Sequence, residues 1–182
     1  MSDTSRFLTA LGRVFRSLTG GRRQARSTDA AGASTSVSTG LLSPGQAGPS
    51  ATVEVDPRRL KGVRLAYTPS RDGEPDPGEI VWTWVPFEER DGRGKDRPVA
   101  IVAASGGGDF LAVQLTSKPH DGDRDFVALG DGAWDAAGRA SWARIDRVFR
   151  VRSGGMRREA ASLDAARYGR IASALGERYG WR

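Results

Sequence analysis

The sequence predicts a mainly β protein of the α+β class, built as a small, strongly bent barrel with a C-terminal helix. Three observations support this prediction. Short β-favouring segments separated by turn residues follow residue 78, no stretch of helical length lies between them, and an amphipathic helical pattern comes after them. A basic amphipathic helix and a disordered linker are expected to precede this barrel.

Residues 1–28 form a basic amphipathic segment. In "SRFLTALGRVFRSLTG", apolar residues such as Phe7, Leu11 and Leu18 recur at helical spacing, and the other face is basic. A membrane-surface helix, a partner-docking helix, a helix folded back on the domain, a transit peptide and an unstructured leader are all compatible with this pattern. Arg13 and Arg16 interrupt the apolar run, which excludes a secretory signal and a transmembrane span.

Residues 29–52 are expected to be a flexible linker. Ala, Gly, Ser, Thr or Pro occupies 19 of these 24 positions, which leaves too little apolar surface to offset the entropy of ordering. Residues 53–77 form an extension of uncertain structure, in which "VEVDPRRLKGVRLAY" is compatible with an edge strand or a short helix. The barrel domain is expected to span residues 78–182.

Five strand segments and one helix are predicted in this domain. The strands are "EIVWTWVPF", with both faces apolar, then "RPVAIVAAS", "DFLAVQLTS", "RDFVALG" and "SWARIDRVFRV". The loop "EERDGRGKD" separates the first two, and "GGG" joins the next two as a hairpin. In "SLDAARYGRIASALGERYGW", Ser162 is a candidate N-cap, Asp164 suits the first turn and Gly180 marks the end.

The composition narrows the chemistry. The chain has no cysteine and one histidine, His120, which excludes disulfides, thiol nucleophiles, and cysteine-ligated or histidine-rich metal sites. We expect a cytoplasmic protein that needs neither a metal nor another cofactor. The net charge of +6 suggests an acidic partner such as nucleic acid, but residues 1–52 carry much of it, with six arginines against two aspartates. A nucleic-acid site in the barrel therefore depends on a local arginine cluster.

Four segments in order resemble the MazF/PemK/Kid toxins of type II toxin-antitoxin systems. They are "GEIVW", "RPVAIV" after a loop, "VQLTSK" and "ARIDRVFRV", and the terminal helix also has a counterpart. The resemblance covers about residues 78–178. It implies an SH3-like barrel that forms a homodimer, binds a cognate antitoxin, and cleaves single-stranded RNA without metal by attack of the 2′-hydroxyl on the adjacent phosphate.

The resemblance also implies which residues bind the phosphate. Arg97 matches the arginine that precedes the family's proline, and its planar fork of donors suits phosphate oxygens. Thr116 and Ser117 match the family's hydroxyl pair. The alternatives are a solvated loop charge for Arg97 and a strand-end turn for the two hydroxyl residues.

A second group of charged residues matches the Arg-x-Asp pair of the Kid branch. Arg144 and Asp146 lie at a spacing that places both side chains on one strand face. Asp146 is a candidate acceptor of the 2′-hydroxyl proton, although an adjacent arginine weakens it as a base, and a structural ion pair is the alternative. Arg147 is a candidate RNA-facing or solvated charge.

The loop before Arg97 departs from the family, because it lacks the histidine and glutamate that many relatives carry. His120 in "TSKPHDGD" is our candidate for the missing proton carrier, since histidine exchanges protons readily near neutral pH. An exposed loop histidine beside aspartates is the alternative. Trp134, in "GDGAWDAAGR", is expected to be exposed and to contact RNA or antitoxin.

Two other functional classes stay open. One is a non-catalytic binding module for nucleic acid or protein on the same barrel, which the altered loop favours. The other is a membrane-associated or scaffold-tethered protein, for which residues 1–20 are the supporting feature.

Overall fold

A computed structural model describes residues 42–70 and 72–182 of the chain. This part contains eight β-strands and one α-helix: β1 Val53–Val55, β2 Glu79–Pro86, β3 Gly94–Gly106, β4 Asp109–Thr116, β5 Phe126–Gly130, β6 Ser141–Arg144, β7 Val148–Arg152, β8 Arg157–Ser162 and α1 Ala165–Tyr179. The predicted mainly β class with a C-terminal helix is confirmed. The helix expected in residues 1–28 lies outside the described residues.

The strands pair antiparallel in a sheet that bends sharply. Its main path runs β1-β7-β4-β3-β2-β8. The first half of β4 pairs with β7, whereas Leu115 and Thr116 near its end pair with β6, which also pairs with β5. Because one edge of β4 pairs with two strands in turn, and β3 carries register shifts after Ile101 and Ala104, the sheet curls into the bent barrel that the sequence predicts.

Both faces of β2 and β3 are buried, as the alternation in "EIVWTWVPF" predicts. Ile80 and Val102 belong to a cluster that includes Ile171 of α1, whereas Val81 belongs to a second cluster with Phe149 on the other face. Fully burying one such aliphatic side chain stabilises a fold by about 1.5–3 kcal/mol. Burial on both faces therefore fixes the backbone of β2 and β3, from which polar side chains such as that of Arg97 extend.

The strand β3 begins earlier than expected. We assigned Lys95 and Asp96 to an exposed loop, but β3 starts at Gly94 and these residues pair with β2. Pairing with β4 starts only at Val99. Pro98 therefore costs no hydrogen bond to β4, and β3 can extend past the proline as a two-stranded ribbon with β2.

The predicted strand "SWARIDRVFRV" is two strands. Between β6 and β7, the Ile145 N–H donates to the Asp125 carbonyl, 2.8 Å away, and the Tyr179 hydroxyl donates to the Ile145 carbonyl, 2.9 Å away. The chain leaves the ladder with β5 at this point and enters the ladder with β1. Alternating apolar residues alone do not reveal such a change of partner.

The strand β8 was not predicted, because "RREAAS" has little β propensity. It is an edge strand held by β2. Its last residue is Ser162, so Ser162 is not the helix cap that we expected. Asp164 caps α1 instead, accepting a 2.7 Å hydrogen bond from the Arg167 N–H, and Gly180 ends it with a φ of 72°. No helix within the described residues is long and apolar enough to cross a membrane.

Residues 43–52 correct the prediction of a flexible linker for that part of residues 29–52, whereas residues 29–41 lie outside the described residues. The Trp84 N–H of β2 donates to the Pro44 carbonyl, 2.9 Å away, and Thr52 and Thr83 share a 2.6 Å hydrogen bond between their hydroxyls. The Thr83 hydroxyl also donates to the Gly155 carbonyl at 2.6 Å. Hydrogen bonds attach this segment to the barrel, so it is ordered even though it has few large apolar side chains.

Glycine permits that attachment. Gly45 has a φ of 78°, and a Cβ there would lie 2.3 Å from the Thr83 hydroxyl oxygen and 2.7 Å from the Gly155 carbonyl oxygen. Beyond it, β1 pairs with β7 in the register Val53 to Arg150 and Val55 to Val148. The extension thus contributes an edge strand, which is one of the two structures expected for it.

Candidate functional site

Arg97 lies between two cavities at one end of β2 and β3. It pairs with the buried Thr83 of β2, and its side chain is partly buried. The first cavity has a volume of about 500 Å³ and the second about 320 Å³, and Arg97 lines both. Pairing with β2 therefore holds the backbone of Arg97 where its guanidinium can reach a ligand in either cavity.

Arg97 has no acidic partner among residues 42–70 and 72–182, where no carboxylate lies within salt-bridge distance of it. Burial, and then the charges of Arg147 and Arg144, lower the pKa of the Arg97 guanidinium. A partly buried cation among like charges gains from an anion. Arg97 is thus a candidate anion ligand.

Thr116 and Ser117 line the first cavity together with Arg97. Both are partly exposed at the end of β4, where the Thr116 hydroxyl oxygen accepts a 3.1 Å hydrogen bond from the Lys118 N–H. This is the strand-end turn that we considered as an alternative, but accepting that bond leaves the hydroxyl proton available to a ligand. The structure therefore brings the three predicted phosphate ligands to one cavity.

The second cavity places Arg97 with Arg144 and Arg147. Arg144 donates to both oxygens of Asp146, from Nε at 2.7 Å and from Nη2 at 2.9 Å, and its Nη1 donates to Glu88 of the loop between β2 and β3. The hydrogen bonds to Asp146 and Glu88 raise the pKa of Arg144. The bond between Arg144 and Glu88 also lowers the pKa of Glu88. The Arg144 guanidinium is thereby fixed in one orientation.

Arg147 is largely buried, which corrects the expectation of a solvated charge, whereas its alternative role as an RNA-facing charge stays a prediction. Its side chain is 8% exposed, and its Nη2 donates to Glu54 at 2.6 Å and to the Pro86 carbonyl at 3.0 Å. The guanidinium carbon lies 5.0 Å from the centroid of the Phe149 ring. Arg147 lines the second cavity, but its guanidinium is bound to Glu54 and the Pro86 carbonyl.

His120 lies outside the lining of both cavities. Its ring stacks on Phe126 with 3.5 Å between centroids, and its Nδ1 is 3.6 Å from a carboxylate oxygen of Asp123. The Arg144 guanidinium carbon is 5.6 Å from the centroid of the same Phe126 ring. Phe126 therefore lies between His120 and the arginine cluster formed by Arg97, Arg144 and Arg147. The imidazole remains partly exposed.

Trp134 is buried, which corrects the expectation of an exposed ring. It is 7% exposed, its Nε1 donates to the Ser141 hydroxyl at 3.0 Å, and a Cβ at Gly132 would meet the ring at 2.1 Å. The glycines of the loop let the chain fold over the ring. Trp134 and Trp82 both line the first cavity. Trp82 is only partly buried there, so it is the better placed of the two to stack on a base.

Sequence reasoning missed three features of this site. Gln114 lines the second cavity, and Glu88 and Glu54 neutralise two of its arginines. These acids reach the site from separate parts of the chain, so no local pattern indicates them. Within the described part of the chain, no group of three or more histidine and acidic side chains is arranged to hold a metal ion.

The family model described as PemK-like, MazF-like toxin of type II toxin-antitoxin system matches residues 76–178. No curated protein sequence matches the chain.

Similar solved structures include MazF of Deinococcus radiodurans, with 23% identity over 59% of this chain and 97% of that one and a TM-score of 0.45. The MazE-MazF structure (Form-II) of the same organism has 20% identity over 58% and 96%, with a TM-score of 0.44. Toxin MazF-mt6 of Mycobacterium tuberculosis has 16% identity over 56% and 98%, with a TM-score of 0.41.

Proposed function

The chain belongs to the PemK-like, MazF-like toxins of type II toxin-antitoxin systems, and from this membership we propose that it is an endoribonuclease that cleaves single-stranded RNA in the cytoplasm. The observation that carries the proposal is the unpaired, partly buried Arg97 beside the hydroxyls of Thr116 and Ser117 in one cavity. A cation and hydroxyl donors that converge on one point suit a phosphodiester.

The proposed reaction uses the RNA as its own nucleophile. The 2′-hydroxyl oxygen forms a bond to the adjacent phosphorus while the bond from phosphorus to the 5′-oxygen breaks, which leaves a 2′,3′-cyclic phosphate and a 5′-hydroxyl. The 2′-hydroxyl proton must go to a base, and the 5′-oxygen must receive a proton. Arg97 stabilises the charge that develops on the phosphorane, and Thr116 and Ser117 hold its oxygens.

We assign proton transfer to His120 rather than Asp146. Both oxygens of Asp146 already accept hydrogen bonds from Arg144, so we assign this carboxylate to positioning Arg144 rather than to proton transfer. The His120 ring is partly exposed and stacks on Phe126, which also contacts Arg144. RNA bound across the arginines can approach this imidazole from the solvent side.

The partners that we propose are a second copy of the chain and an acidic antitoxin. One of the similar solved structures is of MazE-MazF. An acidic, extended antitoxin segment can bind the same arginines that bind RNA, Arg97 first among them, and so block cleavage by competition.

The experiment is incubation of the purified chain with a long single-stranded RNA in excess chelator. We expect cleavage products with 2′,3′-cyclic phosphate and 5′-hydroxyl ends, and no cut where the nucleotide before the scissile phosphate carries a 2′-deoxyribose. Products with a 5′-phosphate, or cleavage that stops with chelator, would contradict the mechanism. No cleavage of varied RNAs would contradict the enzymatic proposal.

A non-catalytic binding module is the second candidate. It is favoured by the pairing of Asp146 and Glu88 with Arg144, which engages both carboxylates in holding an arginine. On this alternative, the chain binds single-stranded RNA through Arg97 without cutting it. Binding without cleavage in the same experiment would favour it.

A further inference from the structure

The strand β1 lies outside the family-matched residues 76–178 and brings a carboxylate to the arginine cluster. Glu54, the middle residue of β1, pairs with Phe149 of β7. The hydrogen bond between Thr52 and the buried Thr83 fixes the chain just before it. Both contacts set the position of Glu54 relative to the barrel.

Glu54 is the acidic partner of a buried arginine. Its Oε2 lies 2.6 Å from Nη2 of Arg147, and its Oε1 lies 3.6 Å from Nη2 of Arg90 in the loop between β2 and β3. The Arg147 Nε is buried and has no hydrogen-bond partner in the described structure. Glu54 is thus the carboxylate that neutralises Arg147 in the described structure. In this arrangement the Nε–H of Arg147 is left without an acceptor.

This pair lies at the edge of the candidate RNA site. Arg147 lines the second cavity with Arg97 and Arg144. Without the Glu54 charge, the guanidinium would be a buried cation beside two others, and its most favourable response would be to turn toward an anion in the cavity. RNA would supply that anion as a phosphate.

We propose that Glu54 is a built-in counter-ion through which the N-terminal segment limits the RNA affinity of the site, by holding Arg147 away from the phosphates. The proposal rests on the proposed function, because it takes RNA as the ligand of these cavities. Glu54 is a positioning residue in this account, since it acts through Arg147 and does not touch RNA.

The test is the binding of a single-stranded RNA oligonucleotide with 2′-O-methyl groups throughout, which cannot be cleaved through its 2′-oxygens. Affinity is measured by fluorescence anisotropy at several salt concentrations for the full chain, for Glu54→Gln and for Glu177→Gln. Glu177 is exposed on α1, so its substitution changes the net charge equally without touching the cluster.

Glu54→Gln is expected to add one phosphate contact. The slope of log affinity against log salt should steepen by about 0.7, which corresponds to roughly fourfold tighter binding at physiological salt. Glu177→Gln should match the parent slope. Since a purely structural role of Glu54 predicts weaker binding or none, the salt slope separates the two roles.

Two further variants distinguish a specific effect of Glu54 on Arg147 from a general loss of folding. Glu54→Asp keeps the charge on a shorter side chain and should give a smaller change in the same direction. In an Arg147→Gln background, Glu54→Gln should have no effect on affinity or slope. Tightening that persists in that background would overturn the inference.

The inference and the proposed function fail in different ways. If the parent binds RNA and Glu54→Gln binds it with the same affinity and slope, the inference alone is overturned. If neither the parent nor Glu54→Gln binds RNA, both are overturned. Binding that appears only in Glu54→Gln would support the inference.

Discussion

The guanidinium of Arg144 and the carboxylate of Asp146 form two parallel hydrogen bonds, of 2.7 and 2.9 Å, across the turn that leaves β6. Both side chains are less than one-fifth exposed. In such a fork both carboxylate oxygens bind the guanidinium, and the arginine presents its remaining donors in a fixed direction. The pair therefore orders Arg144 within the cluster of Arg97, Arg144 and Arg147, and we propose another residue as the proton acceptor.

Replacing Asp146 by Asn should lower stability and leave the pH dependence of cleavage unchanged in shape. The free energy of unfolding should fall by about 2 kcal/mol, because the partly buried Arg144 loses one of its two charged partners. Urea unfolding and a pH-rate profile measure the two effects. If the variant instead loses the acidic limb of the profile at full stability, Asp146 is the base.

Trp82 and Trp134 should respond differently to truncation. Trp82→Ala should weaken RNA binding by about 1–3 kcal/mol if its partly exposed ring stacks on a base. Trp134→Phe should reduce thermal stability, because the Ser141 hydroxyl loses its indole donor, and change RNA affinity less. Anisotropy and thermal melting on both variants check this, and the opposite pattern would place Trp134 against the RNA.

Thr83 is expected to hold residues 43–52 on the barrel. In Thr83→Val, the hydroxyl that binds both Thr52 and the Gly155 carbonyl is lost, which should cost about 1–3 kcal/mol of unfolding free energy. Amide exchange near Thr52 should accelerate more than exchange in α1. Equal acceleration in both regions would show that this hydroxyl has no local role.

Acid should weaken the start of α1 through Asp164. The hydrogen bond from the Arg167 N–H lowers the pKa of Asp164, so its carboxylate stabilises the fold above its unfolded pKa, and this stabilisation is lost as the pH falls through the folded value. Asp164→Asn should melt below the parent at pH 7, and the two melting temperatures should converge in acid.

Asp121→Asn is the matched control for Asp164→Asn, because Asp121 is an exposed loop carboxylate. The gap in melting temperature between this control and the parent should not change with pH. A constant gap for Asp164→Asn as well would show that the cap does not depend on the carboxylate charge.

Much of the barrel, and the candidate phosphate ligands of the first cavity, could be predicted from the sequence. Alternation of apolar residues located β2 and β4, because a strand buried on both faces leaves that pattern in the chain. The order of the four motifs singled out Arg97, Thr116 and Ser117. The structure places these three residues around one cavity.

The counter-ions could not be predicted. Glu54 and Arg147 are 93 positions apart, and Glu88 and Arg144 are 56 apart, so each pair exists only through the folded sheet. Trp134 shows a different limit. A glycine-rich loop suggests exposure, yet the absence of a side chain at Gly132 is what lets the indole pack inward.

The single-turnover rate of RNA cleavage by Arg97→Gln, relative to the parent, tests whether Arg97 binds the scissile phosphate. No carboxylate pairs with Arg97 among residues 42–70 and 72–182, so the variant should keep its stability and lose about 100-fold or more in rate. Arg59→Gln, which removes a highly exposed arginine, is the charge-matched control and should cleave like the parent. A rate for Arg97→Gln within about threefold of the parent, a difference of less than 1 kcal/mol, would contradict the assignment of Arg97 to the phosphate.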